Sequence, residues 1–183
     1  VWDAPVRAFH WMLVACIVVD YFVLTDGKDL HRWLGYTASA LVAWRLVWGF
    51  IGSTHARFAD FFPTPRRVLR HVRGLMAGQA DFHAGHNPLG ALMMLTLLVL
   101  VGALGVTGWM MSLDAFWGDD GLEDLHGVLA DVLIAQAGMH AAAAIVMGRI
   151  ERTRLVKAMF TGVKERWCGC RCSPPASANA APP

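Results

Sequence analysis

Charged side chains are scarce in this chain: Asp, Glu, Lys and Arg together make up 16% of its 183 residues. Soluble domains carry about 25% charged residues, so too little charge is present to cover a surface that faces water. Hydrophobic residues make up 56%, which excludes intrinsic disorder because disordered chains are poor in apolar residues. The composition predicts an integral membrane protein, and the length allows one domain.

Cysteine is also rare, and its four copies are placed too unevenly for a disulfide framework. Cys16 lies in an apolar run, whereas the other three crowd into the C-terminal tail as Cys168, Cys170 and Cys172. The tail thiols leave three interpretations open: a metal site that needs a fourth ligand, palmitoylation, or an incidental reduced segment. The Cys-, Pro- and Ala-rich tail, residues 167–183, is predicted to be disordered.

Four apolar runs are long enough to cross a membrane as helices, which takes roughly 20 residues each. They cover about residues 5–25, 30–51, 88–113 and 125–148. The first run is longer and richer in Trp and His than a signal-peptide core, and the start at Val1 instead of Met suggests a trimmed N-terminus. The predicted fold class is all-α, an integral membrane four-helix bundle that occupies residues 1–166.

Basic residues concentrate on one predicted side of this bundle. The middle loop, residues 53–86, contains five Arg and two Asp, and seven Lys or Arg follow Gly148. The loop 114–124 contains five acidic residues and no basic ones. The positive-inside rule therefore predicts that both termini and the middle loop are cytoplasmic. This orientation explains the basic residues without nucleic acid as a partner.

Within the middle loop, apolar residues recur at helical spacing between arginines. The apolar positions are Val68, Leu69, Val72, Leu75 and Met76. The pattern predicts an amphipathic helix on the inner membrane surface, in contact with lipid. The alternative is an ordinary solvated amphipathic helix.

A short repeat relates residues 28–34 to residues 123–129. Each copy opens a membrane helix on the predicted outer side, and Asp29 and Asp124 are placed to cap these helices. The repeat predicts that His31 and His126 lie at the same depth, near the outer face.

A second pair of histidines belongs near the inner face. His140 follows His126 by fourteen residues, which returns to within about 40° of the same helix face, roughly 21 Å further along the axis. His10 lies in the first turns of the first helix, which begins on the inner side. Spacing and topology thus predict an outer pair and an inner pair.

Paired imidazoles inside a helical bundle are typical of metal and haem sites, although a single buried His is more often a hydrogen-bonded core residue. A zinc site needs four ligands, and the two pairs are too far apart to combine. Haem takes one imidazole on each side, which leaves iron no open position and suits electron transfer. The chain has no Cys-x-x-Cys-His motif, so the haem would be non-covalent, of the b type.

Several motifs together resemble bacterial cytochrome b561 proteins and the b-type cytochrome subunit of membrane-bound nickel–iron hydrogenases. The resemblance covers about residues 1–166 and rests on residues 1–7, 10–11, 45–52, 56–58, 85–90, 107–109 and 159–164, and on the spacing of His126 and His140. It implies two b haems whose iron is bound by His10, His31, His126 and His140. It also implies electron transfer across the bacterial inner membrane, between quinone and an outer-side c-type cytochrome, hydrogenase or dehydrogenase.

The sequence leaves more than one role open for four further residues. His86 is an alternative inner ligand, a quinone-site residue or an interfacial His beside a helix cap. Asp20 serves a proton path or bonds to a neighbouring helix, and Asp131 is equally open. Arg45 follows His31 by fourteen residues, so it either pairs with a propionate of the inner haem or snorkels to the cytoplasmic interface.

The leading functional hypothesis is a membrane electron carrier, whose acidic outer loop would dock a basic partner such as a small cytochrome c. One alternative is an enzyme that oxidises superoxide and reduces quinone, although an acidic outer surface does not attract an anion. The other is a haem-free transporter or membrane anchor, which needs no depth-matched histidine pairs.

Overall fold

The computed structural model describes residues 4–24, 29–52, 64–76, 88–150 and 154–162. In these ranges the chain is helical, without strands, which confirms the all-α prediction. The helices are α1 (Ala4–Phe22), α2 (Asp29–Ile51), α3 (Pro65–Met76), α4 (Pro88–Met110), α5 (Asp120–Ile150) and α6 (Leu155–Thr161). A short 3-10 turn, Asp114–Phe116, lies between α4 and α5.

Four of these helices, α1, α2, α4 and α5, are long and apolar enough to cross a membrane. A helix satisfies its backbone hydrogen bonds internally, which hydrocarbon requires of any lipid-exposed segment. The predicted four-helix membrane bundle is therefore confirmed, while the cytoplasmic location of the termini stays a prediction. α5 has 31 residues and is about 46 Å long, so it extends beyond the roughly 30 Å of hydrocarbon.

The start of α5 corrects one prediction. The helix begins at Asp120, ahead of the predicted residue 125, and the capping residue is Asp119 instead of Asp124. The backbone N–H of Leu122 donates to Asp119 Oδ1 at 3.1 Å, which is the geometry of an N-cap. The first turn is acidic, which the helix dipole stabilises, so the helix starts before its apolar run does.

The end of α4 also differs slightly from the predicted boundary at residue 113, since the helix stops at Met110. The chain then tightens into turns, in which the hydroxyl of Ser112 donates to the Trp109 carbonyl at 2.6 Å. Gly118 follows with a φ of 76°, a left-handed conformation that glycine adopts without a steric penalty. These turns bring the acidic loop back toward α5.

The buried core occupies the middle of the bundle, where α1 packs on α2, α2 on α4 and α4 on α5. Its members are apolar and at most 8% exposed: Phe9, Ala38, Val42, Leu98, Val101 and Leu133. Leu133 lies seven residues from both His126 and His140. The core therefore separates the outer and inner histidines.

The predicted amphipathic segment of the middle loop is present as α3, which packs against α4. Arg66, Arg70 and Arg73 are exposed along it, whereas Val68 is half-buried. The helix is thus amphipathic as predicted, and its place on the inner membrane surface stays a prediction.

Candidate functional site

The outer histidines meet inside the bundle. The rings of His31 on α2 and His126 on α5 have centroids 6.2 Å apart and planes 74° apart, so their predicted proximity is confirmed. Two imidazoles that bind one metal ion from opposite sides, at roughly 2 Å per nitrogen, place their centroids about 6 Å apart. The observed spacing fits a single metal ion between the two rings.

Thr107 on α4 fixes the proton of His126. Its hydroxyl lies 2.7 Å from His126 Nδ1 and 3.0 Å from the Ala103 carbonyl oxygen. A hydroxyl carries one hydrogen, which it donates to this carbonyl, so its oxygen accepts the Nδ1–H of His126. The proton therefore sits on Nδ1, which leaves the lone pair of Nε2 for a metal. Thr107 is only 7% exposed, so water does not compete for the bond.

Asp20 on α1 holds the corresponding position beside His31. Its Oδ1 lies 2.9 Å from His31 Nδ1, in contact but without the alignment of a hydrogen bond. Of the two interpretations left open for Asp20, the structure shows the contact with a neighbouring helix. Both outer imidazoles thus have a protein oxygen atom close to Nδ1.

Asp131 on α5 has a separate partner in the same half of the bundle. The hydroxyl of Tyr21 on α1 donates to Asp131 Oδ1 at 2.7 Å. This bond joins α1 to α5 close to the outer histidines. It also leaves Asp20 to face His31.

A cavity of about 230 Å³ lies beside the outer pair, enclosed by α1, α2, α4 and α5 and lined by both His31 and His126. Its lining is mostly apolar and includes small residues such as Gly35 and Ala130. A Cβ atom added to Gly35 would meet nothing within 4 Å. An apolar space with imidazoles in its wall fits a flat apolar macrocycle that carries a metal at its centre.

The inner histidines are His10 on α1 and His140 on α5. His10 Nδ1 is buried and has no hydrogen-bond partner, unlike the Nδ1 of His126. The ring of His10 therefore lacks the oxygen atom that orients an outer histidine.

The surroundings of His10 are aromatic and include α6. The ring of Trp11 stacks on Phe160 with centroids 4.3 Å apart, and its indole N–H donates to the Met159 carbonyl at 3.4 Å. Arg7 Nη1 donates to the Phe160 carbonyl at 2.6 Å. These contacts fasten α6 to the first turns of α1, a role that sequence reasoning did not assign to it.

Arg45 on α2 lies inside the protein, where its side chain is 3% exposed. It therefore does not extend to the interface, as the snorkelling interpretation required. Trp44 and Trp48 stack beside it with centroids 5.4 Å apart. A buried guanidinium in the inner half places a positive charge on the side of His10 and His140.

The remaining predicted positions, His86 and the three tail cysteines, lie outside the described residues. Among the residues that are described, no group of three or more His, Cys, Asp or Glu comes together to hold a metal ion. Paired imidazoles are sufficient for haem, because the macrocycle supplies the other iron ligands. The histidine pairs of the described residues therefore fit haem.

Membrane-spanning helices with histidines paired in their interior define a membrane cytochrome of the b type. The chain belongs to the prokaryotic cytochrome b561 family, whose family model, described as Prokaryotic cytochrome b561, matches residues 1–162. As a member it is a multi-pass protein of the bacterial inner membrane that binds haem b and takes part in electron transfer.

Curated relatives carry a more specific name. A "Probable Ni/Fe-hydrogenase B-type cytochrome subunit" from Bradyrhizobium diazoefficiens is 23% identical over 90% of this chain and 85% of the relative. The protein of the same name from Azotobacter vinelandii is 28% identical over 69% of this chain and 65% of the relative. The "Probable Ni/Fe-hydrogenase 1 B-type cytochrome subunit" of Escherichia coli K12 is 24% identical over 61% of this chain and 59% of the relative. No solved structure matches this chain.

Proposed function

We propose that this protein is a di-haem cytochrome that carries electrons across the inner membrane between an outer-side redox partner and quinone. The observation that carries the proposal is the outer histidine pair, whose ring centroids are 6.2 Å apart. A second pair of histidines, His10 on α1 and His140 on α5, lies toward the other end of the bundle. When bound, haem supplies the one-electron chemistry of iron.

The protein's own residues hold the rings and exclude water. Thr107 fixes the proton of His126 on Nδ1, and Asp20 faces the Nδ1 of His31. Because each iron would have an imidazole on both sides, no position remains for a substrate, which favours electron transfer. Between the two sites, the buried apolar core keeps the path dry and rigid.

At the inner end, Arg45 would hold a haem propionate. Its side chain is buried, and Arg binds carboxylates through a planar, bidentate fork. Quinone would exchange electrons with this inner haem, beside the cytoplasmic surface.

The outer partner is a hydrogenase, as the names of the relatives indicate. A c-type cytochrome or another dehydrogenase is the alternative. The connection between α4 and α5 and the first turns of α5 carry charge of one sign, from Asp114, Asp119, Asp120, Glu123 and Asp124. Such a surface favours a partner with a basic patch and disfavours an anionic substrate such as superoxide.

The test is a haem count on the purified protein. We expect two haems per chain in the pyridine haemochrome assay, both extractable with acid acetone because no covalent attachment motif is present. A redox titration would then resolve two components. One haem per chain would mean that one of the two histidine pairs does not bind haem. A haem-free protein that takes up no haem on reconstitution would support a membrane anchor or transporter instead.

A further inference from the structure

The two outer imidazoles face oxygen atoms of different charge. His126 has the neutral hydroxyl of Thr107 at its Nδ1, whereas His31 has the carboxylate of Asp20 at 2.9 Å. Asp20 lies in the outer half of α1, inside a membrane span, and its side chain is 21% exposed. An ionised carboxylate is costly inside a membrane span, so the position of Asp20 beside the ring of His31 needs an explanation.

A hydrogen bond from Tyr21 does not explain the position of Asp20. The hydroxyl of Tyr21 donates to Asp131 on α5, so the two carboxylates of this region have separate partners. Asp131 connects α1 to α5, and Asp20 contacts a histidine ring. The second contact is the one that reaches a metal-binding group.

A carboxylate beside Nδ1 acts on the site through its charge. The negative charge would favour the ferric state of a haem held by His31, because the oxidised haem carries the extra positive charge. Thr107 contacts His126 but adds no charge. Of these two residues, Asp20 is the one that would shift the potential in this manner.

We infer that Asp20, in contact with His31, lowers the midpoint potential of the outer haem by its charge. The inference rests on the proposed di-haem function. Arg45, which is buried on α2, has the opposite charge and would favour the reduced state of the inner haem. The two charges would therefore bias the outer haem toward giving up an electron and the inner haem toward accepting one.

The test is a redox titration of Asp20→Asn in the full-length, haem-loaded membrane protein. Asn keeps an acceptor oxygen for His31 Nδ1 and removes only the charge. We expect a shift of about tenfold in the equilibrium of the outer haem toward the reduced form, which is about 59 mV for a one-electron couple. The inner potential and the haem content stay unchanged.

Asp131→Asn is the matched control, because it removes a carboxylate from the same half of the bundle without a contact to His31. A shift of equal size in this variant, or no shift in Asp20→Asn with both haems bound, overturns the inference and leaves the di-haem proposal intact. A single haem in the unmodified protein contradicts the di-haem proposal itself.

Loss of the outer haem in Asp20→Asn is resolved by Asp20→Glu, which keeps the charge. The inference expects this variant to retain the haem at a potential close to that of the unmodified protein. If Glu also loses the haem, or binds it at a raised potential, the role of Asp20 is structural and the inference fails.

Discussion

The outer and inner histidine pairs share α5 but take their second histidine from different helices, α2 for the outer pair and α1 for the inner pair, and they hold their rings differently. At the outer pair, the Nδ1 atoms of His31 and His126 face oxygen atoms supplied by α1 and α4. At the inner pair, His10 Nδ1 has no partner, and aromatic rings and α6 surround it. The outer site is therefore oriented before a cofactor binds, whereas the inner site depends more on packing and on the cofactor itself.

The largest effect that would test this comparison is the loss of a whole haem. We expect His31→Ala and His126→Ala each to reduce the haem content from two to one and to remove the same component of a redox titration. His10→Ala and His140→Ala should remove the other component, because each iron loses one of two axial ligands.

His55→Ala provides the control, since this histidine lies outside the four membrane helices and should leave both haems in place. If His86→Ala, in place of His10→Ala, removes the same component as His140→Ala, the inner pair has been assigned wrongly.

The next effect concerns the orientation of the outer ring. Thr107→Val removes the acceptor that keeps the proton on His126 Nδ1, and partners of this kind are worth about 10–100-fold in metal affinity. We expect the outer haem to dissociate first when haem is competed away by apomyoglobin, with Thr107→Ser restoring its retention.

Thr96→Val is a close control for this substitution. Thr96 also lies on α4, donates to the Leu92 carbonyl and accepts a hydrogen bond from a side chain of α5, Gln136. Equal haem loss from both valine variants would mean that helix packing, not the histidine proton, holds the outer haem.

A smaller effect is expected from the buried charge of the inner half. At roughly 10 Å and an effective dielectric constant of about 20, Coulomb's law gives Arg45 less than about 2 kcal/mol of interaction with a haem electron. Arg45→Leu should lower the inner midpoint potential by some tens of millivolts, since about 1.4 kcal/mol corresponds to 59 mV. An unchanged inner potential with full haem content would place the guanidinium away from the haem.

The smallest effect is expected from the contact between α6 and α1. Phe160→Ala removes the stack on Trp11, and such aromatic pairs contribute about 0.5–1.5 kcal/mol. We expect up to about tenfold faster release of the inner haem, with the outer haem unaffected. Val156→Ala, on an exposed part of α6, is the control. Similar rates of haem release from both variants would mean that the packing of α6 on α1 does not affect the inner site.

The sequence predicted the features that depend on local composition or on chain spacing. The four spans follow from hydropathy, and the contact of His31 with His126 follows from the internal repeat. For Arg45 the same spacing left both the bundle interior and the cytoplasmic interface open. The role of these histidines as iron ligands stays a prediction.

Contacts between distant helices could not be predicted in this way. Thr107 belongs to a motif noted in the sequence, but its bond to His126 depends on how α4 rotates against α5. The available signal was a hydroxyl in a charge-free helix whose other residue with a hydroxyl is Thr96. The pairing of Tyr21 with Asp131 and the docking of α6 on Trp11 depend likewise on tertiary packing.

Few residues of α1 and α5 are buried by the rest of the protein. The buried share is six per cent in the apolar window of each helix, and the cavity beside the outer pair has a volume of about 230 Å³. A ligand that binds only the folded state stabilises it by about 4 kcal/mol at a thousand times its Kd. Chains made during haem shortage would therefore be the ones that membrane proteases remove. Through this linkage, the supply of haem sets how much of the protein accumulates in the cell.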